Sequence, residues 1–127
     1  MESKKRILVV DDEPGVLRFV QIGLSLAGYA VQTTTDAREA LELARSEAPD
    51  VVLMDIVMAP MDGFHFLDKL RSFSDVPVIV FTANAIVADL AVKTGASDII
   101  AKPFRPGELE KKIEAVLAGR AAVQEKS

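Results

Sequence analysis

Short apolar runs alternate with amphipathic stretches five times along the chain. Arg6-Ile7-Leu8-Val9-Val10, Val51-Val52-Leu53-Met54 and Val78-Ile79-Val80-Phe81 are almost unbroken apolar runs rich in β-branched residues. That is the pattern of strands buried on both faces of a parallel sheet. Tyr29 to Thr34 is more polar and reads as an edge strand, and Asp98 to Ala101 reads as a fifth strand. Between them the period changes to that of a helix. Leu17, Val20, Leu24 and Ala27 mark the inner face of a first helix, with Pro14 in its first turn and Gly28 at its end. Asp36 and Glu39 form a capping-box pattern ahead of Ala37, Ala40, Leu41 and Ala44, and Pro49 closes that second helix. Phe66, Leu67 and Leu70 follow Asp62-Gly63 on a third helix. Ala85 to Thr94 is a short, apolar fourth helix closed by Gly95, and Pro106 opens a fifth with Leu109, Ile113, Val116 and Leu117 facing inward.

Strands joined one after another by single helices pair in parallel through right-handed crossovers, which lays helices on both faces. The expected fold is therefore α/β: three layers, with a doubly wound five-stranded parallel sheet and five helices. The 127 residues suit one domain, with residues 1–119 as its body and residues 120–127 as a flexible tail or the start of a linker. From Gly119 onward there is little to bury, so fraying is expected.

Composition narrows the chemistry. With no cysteine, disulfides, thiolate nucleophiles and cysteine-ligated metals are excluded. A net charge of −4, with no basic run longer than Lys4-Lys5-Arg6, argues against direct nucleic-acid contact by this domain. No apolar stretch reaches membrane-spanning length, and the charged start leads straight into a strand, unlike a signal peptide. A cytoplasmic setting is expected.

In such a sheet every strand's carboxyl end lies at one rim, where open α/β folds bind their ligands. Four of those ends carry polar groups: Asp11 and Asp12 after the first strand, Asp55 at the end of the third, Thr82 after the fourth, and Lys102 after the fifth. Each has an ordinary structural explanation on its own, as a cap or a turn. Together they form a set. Three partly desolvated carboxylates repel one another, and a hard divalent cation that keeps several waters, Mg²⁺, relieves that repulsion. Lys102 and Thr82 supply a cation and a hydroxyl donor for phosphoryl oxygens. Asp55 is a carboxylate nucleophile able to accept a phosphoryl group as an acyl phosphate.

These residues resemble the receiver domain of two-component response regulators over nearly the whole chain. The resemblance is carried by Ile7-Leu8-Val9-Val10-Asp11-Asp12-Glu13, Asp55-Ile56-Val57-Met58 with Asp62-Gly63, Thr82-Ala83, Gly95-Ala96 and Lys102-Pro103-Phe104. It implies the flavodoxin-like strand order 2-1-3-4-5. It implies that Asp55 takes a phosphoryl group from a phosphohistidine on a sensor histidine kinase or phosphotransfer protein. It implies Mg²⁺ held by Asp12 and Asp55 directly, by Asp11 through water and by the backbone carbonyl of Val57, with Thr82 and Lys102 on phosphoryl oxygens. Such a domain is a phospho-acceptor that catalyses only its own phosphorylation and dephosphorylation. It signals through the face built from its fourth helix, fifth strand and fifth helix to an output partner or fused domain. Lys111 and Lys112 on the fifth helix lie where dimerising members carry a basic residue, which is compatible with a phosphorylation-dependent homodimer.

The chain departs from the family pattern in four places. Ala59 replaces the usual proline, which comes one position later as Pro60. Ile99 replaces the switch aromatic. The span from Thr82 to Gly95 is about two residues short, in the signalling face. Val57 replaces a polar residue that influences hydrolysis, so a long-lived phosphoryl group is expected.

Other phosphate chemistries fit poorly. A haloacid-dehalogenase-type enzyme needs an acid where Val57 stands. A P-loop enzyme needs G-x-x-x-x-G-K-[ST], and a dinucleotide binder needs glycines where Asp11-Asp12-Glu13-Pro14-Gly15 runs. An FMN site would place phosphate against two aspartates. The remaining competitor is the same fold used as a pure binding module, against which the complete acidic set with Thr82 and Lys102 argues.

Overall fold

The computed structural model describes residues 4–55, 63–101 and 104–126. The apolar runs form five strands: β1 (Arg6–Val10), β2 (Ala30–Thr34), β3 (Val51–Asp55), β4 (Val78–Thr82) and β5 (Asp98–Ala101). All pair in parallel, in the order β2-β1-β3-β4-β5. Five helices connect and follow them: α1 (Pro14–Leu26), α2 (Ala37–Ser46), α3 (Gly63–Arg71), α4 (Ala85–Thr94) and α5 (Pro106–Lys126).

Alternation along the central strands feeds two cores. Leu8, Val10, Val52, Met54, Val78 and Val80 point to one face and pack with Ala40 of α2, Phe66, Leu67 and Leu70 of α3, and Ala91 of α4. Ile7, Val9, Val51, Leu53, Ile79 and Phe81 point to the other, against Leu17, Val20 and Leu24 of α1 and Leu109 and Ile113 of α5. Burying each of the larger side chains among these contributes about 1.5–3 kcal/mol. A carboxylate inside one of these runs would forfeit that and add a desolvation cost. The carboxylate therefore appears only at Asp55, the last residue of β3, where the sheet opens.

The helix ends obey local chemistry. Pro14 opens α1, and Gly28 at φ 100 closes it, where only glycine is unstrained. Gly28 N–H donates to the Ser25 carbonyl and Tyr29 N–H to the Leu24 carbonyl, the paired bonds of a Schellman end. Ala27, expected on the inner face, is instead the exposed C-cap residue of this turn. The Asp36 carboxylate accepts the Arg38 N–H at 2.8 Å and starts α2.

Helix α5 runs to Lys126. Alanines 118, 121 and 122 favour helix. Arg120 also reaches off the helix, its guanidinium donating to the Asp50 carbonyl at 3.4 Å and to the Asp75 carboxylate at 3.3 Å.

Candidate functional site

Strand register assembles the rim. Val10 pairs with Met54 and Asp55 with Phe81, so Asp11 follows β1 beside Asp55, and Thr82 stands one step beyond Asp55's partner on β4. Asp11 is fully buried and Asp55 is 8% exposed, while Asp12 faces solvent. One carboxylate oxygen from each of the three lies within 4.8 Å of the others. The Asp11 carboxylate also accepts the Glu13 N–H at 2.8 Å, which turns the chain into α1 and fixes that side chain.

Exposed acidic groups often cluster without consequence, but two of these three are buried. At separations of 4.8 Å or less, like charges in a partly desolvated site repel by roughly 3.5 kcal/mol or more per pair at an effective dielectric constant near 20. The donor set is all oxygen, with no nitrogen or sulfur ligand. It fits a hard divalent cation of the Mg²⁺ class, with Asp11, Asp12 and Asp55 as the holders.

Thr82 is buried, and its hydroxyl oxygen accepts the Asn84 N–H at 3.2 Å, which leaves the hydroxyl hydrogen to donate elsewhere. Thr82 pairs with Ala101, the last residue of β5, and Lys102 is the next residue in the chain. Lys102 and Val57 lie outside the described residues, as do Ala59, Pro60 and Asp62. Behind this edge the Phe104 ring packs on Phe81, centroids 6.1 Å apart, and anchors the chain entering α5.

The shortened span after Thr82 takes a definite form. Only Ala83 and Asn84 separate β4 from the ten-residue α4. Asn84 caps that helix, its side-chain oxygen accepting the Ile86 and Val87 N–H groups at 2.9 and 3.1 Å. Ala91 is fully buried beneath α4, whereas Ile86, Leu90 and Val92 are exposed. Asn84→Ala is expected to lower stability by about 1 kcal/mol and to fray the start of α4, measured by thermal melting and amide exchange. Ile99, in place of the family's aromatic, is half-buried in β5. His65 is exposed on α3, and Thr34, the buried last residue of β2, has a hydroxyl that accepts the Asp36 N–H at 3.0 Å.

Sequence patterning gives no sign of Arg71. This half-buried guanidinium, at the end of α3, donates through Nε and Nη2 to the Gly95 carbonyl at 3.0 and 2.9 Å. Through Nη1 it donates to the Ser74 and Val76 carbonyls at 3.2 and 2.7 Å. Burial lowers its pKa from the ordinary arginine value, with Asp75 opposing that effect.

Comparison with known proteins points one way. The sequence model of the family described as "Response regulator receiver domain" matches residues 7–114. The chain is 44% identical over 119 residues to a probable transcriptional regulator ycf27 of Guillardia theta, covering 92% of this chain and 47% of that protein. It thus spans about half the length of the curated relatives it matches. Among solved structures, the chemotaxis response regulator CheY4 of Vibrio cholerae is 31% identical with a TM-score of 0.82, covering 90% of this chain and 99% of that one. NtrX of Brucella abortus is 31% identical with a TM-score of 0.89, covering 97% of this chain and 29% of that one. Among the described residues, no helix is long and apolar enough to cross a membrane.

Proposed function

The chain belongs to the response regulator receiver domain family of two-component systems, and on that premise we propose that Asp55 accepts a phosphoryl group from a phosphohistidine. The observation that carries this reading is the buried carboxylate of Asp55 held beside Asp11 and Asp12 at the open rim, with the Thr82 hydroxyl one register step away. A carboxylate oxygen of Asp55 attacks phosphorus, an O–P bond forms and the N–P bond breaks. The electron pair returns to the donor's ring nitrogen, and because the other ring nitrogen of the phosphohistidine carries a proton, the imidazole leaves as the neutral ring. The product is an acyl phosphate on Asp55.

Asp11 and Asp12 keep the site acidic on one side, and Thr82 and Lys102 donate to phosphoryl oxygens on the other. When bound, Mg²⁺ supplies the positive charge that lets an anionic phosphoryl group approach these carboxylates. Asp11, Asp12 and Asp55, with the backbone carbonyl of Val57, would hold it. The catalysis concerns only the chain's own phosphorylation and dephosphorylation, so it is a signalling domain and not an enzyme acting on other substrates. The donor is a cytoplasmic sensor histidine kinase or phosphotransfer protein.

Output runs through α4, β5 and α5. The shallow seating of α4, with Ile86, Leu90 and Val92 exposed, supports a face whose equilibrium a phosphoryl group at Thr82 can shift. The names of the relatives make control of transcription the favoured output class, through an attached domain, a separate partner or a phosphorylation-dependent homodimer.

The test is incubation with histidine-kinase cores carrying labelled phosphohistidine. Label is expected to move to the wild-type chain and not to an Asp55→Asn variant. Label that stays on every donor, with small-molecule phosphodonors also inert, contradicts the reading. Val57→Asn is expected to shorten the phosphoryl lifetime, because an amide there can orient an attacking water and valine cannot. Dephosphorylation no faster than wild type would count against that role.

A further inference from the structure

The end of the sheet opposite Asp55 carries chemistry that phosphoryl acceptance does not use. Residues that precede β1, β3 and β4 meet the ends of α2 and α5 there, around a cavity of about 480 Å³. Five residues of β3, at about 3.3 Å each, separate this end from the acidic rim. Three cations line the cavity, Lys5, Arg45 and Arg120, against the single carboxylate of Asp50 among its lining residues. The chain as a whole has a net charge of −4, so this local excess of positive charge runs against its composition.

The charges are also under-used. The Asp50 carboxylate is taken up by the Arg6 backbone N–H at 2.8 Å. Arg120 has five N–H donors and makes two long bonds, at 3.4 Å to the Asp50 carbonyl and at 3.3 Å in an ion pair with the exposed Asp75 carboxylate, while its Nε is buried without a hydrogen-bond partner among the described residues. Arg45 is held by its cation–π contact on Phe73, 4.4 Å from the ring centroid, and not by an ion pair among the described residues. Phe73, Val76 and Leu117 give the same cavity apolar wall.

We infer that this cavity binds a small organic phosphate, its phosphoryl group taken by Lys5, Arg45 and Arg120 and its carbon part laid over Phe73 and Leu117. Two guanidinium forks and an ammonium match the charge and oxygens of a phosphate monoester better than a single carboxylate. The volume lies in the range of small-molecule sites, and its mixed wall suits a ligand with an apolar body. A bound ligand would tie the end of α5 to α2 and the start of β1, independently of Asp55.

Amide chemical shifts of the whole chain test this, with adenosine monophosphate, glucose 6-phosphate and inorganic phosphate as probes, at fixed ionic strength and without divalent cation. Saturable shifts are expected at residues 44–50, 73–76 and 117–120, tighter for the organic phosphates than for inorganic phosphate, and unchanged in Asp55→Asn. Arg45→Gln and Arg120→Gln are each expected to weaken binding about tenfold, the loss of one charge-assisted contact. Lys5→Gln, which lies outside any helix, should weaken it in the same direction with the fold intact. The inference is overturned if no probe gives saturable shifts, if the variants bind like wild type, or if a glutamate-rich peptide binds this surface more tightly than any phosphate.

Discussion

Asp55→Asn is expected to abolish phosphoryl acceptance completely and, in chelator-treated samples, to raise the melting temperature of the chain. The first effect follows from replacing the nucleophilic carboxylate with an amide, whose oxygen forms no acyl phosphate. The second follows from the arrangement of Asp11, Asp12 and Asp55, whose carboxylate oxygens lie within 4.8 Å of one another. Removing one charge removes two repulsive pairs. Because Asp12 is exposed and screened, the gain is on the order of 1–2 kcal/mol and not the full Coulomb value. Mg²⁺ should then raise the melting temperature of wild type more than that of the variant, since a ligand stabilises only the folded state that binds it. Calorimetry with and without Mg²⁺ checks both statements. Equal melting of the two proteins, with no response to Mg²⁺, would show that the carboxylates are neither strained nor a cation site.

The second large effect belongs to Arg71. Arg71→Ala should destabilise the chain by about 2–3 kcal/mol, a fall in melting temperature of about 10 °C for a domain of this size. Its guanidinium makes four bonds to the carbonyls of Ser74, Val76 and Gly95, joining the end of α3 and the entry to β4 to the close of α4. Gly95 is held at φ 124, and a Cβ there would meet the Arg71 side chain at 3.3 Å, so neither partner substitutes freely. α4 is otherwise anchored mainly through Ala91, so amide exchange should rise more in α4 than in α1. Arg71→Lys, which keeps the charge but not the planar fork, should recover only part of the loss. Uniform destabilisation with α4 protection unchanged would mean that the clamp does not hold that helix.

Much of the fold is legible along the chain because the central strands are buried on both faces. Val51 to Met54 and Val78 to Phe81 have no polar interruption, so their strand character and parallel pairing follow from one pattern. The acidic rim is legible for the same reason: Asp11, Asp55 and Thr82 stand where apolar runs stop, and the register brings them together. What escapes is tertiary. Arg71 reads as an ordinary cation in the last turn of a helix, and its carbonyl partner Gly95 is 24 residues away. Lys5, Arg45 and Arg120 meet only after β1, α2 and α5 have packed.

The central claim is that Asp55 is a Mg²⁺-dependent phosphoryl acceptor. The most direct measurement is the intact mass of the chain after incubation with phosphoramidate, whose N–P bond stands in for phosphohistidine, with Mg²⁺ or with a chelator, followed by mapping of the modified residue. One phosphoryl group per chain on Asp55, formed with Mg²⁺ and absent without it, is the predicted result. An unmodified chain under both conditions, or a phosphoryl group that forms equally without Mg²⁺ or on another residue, would contradict it.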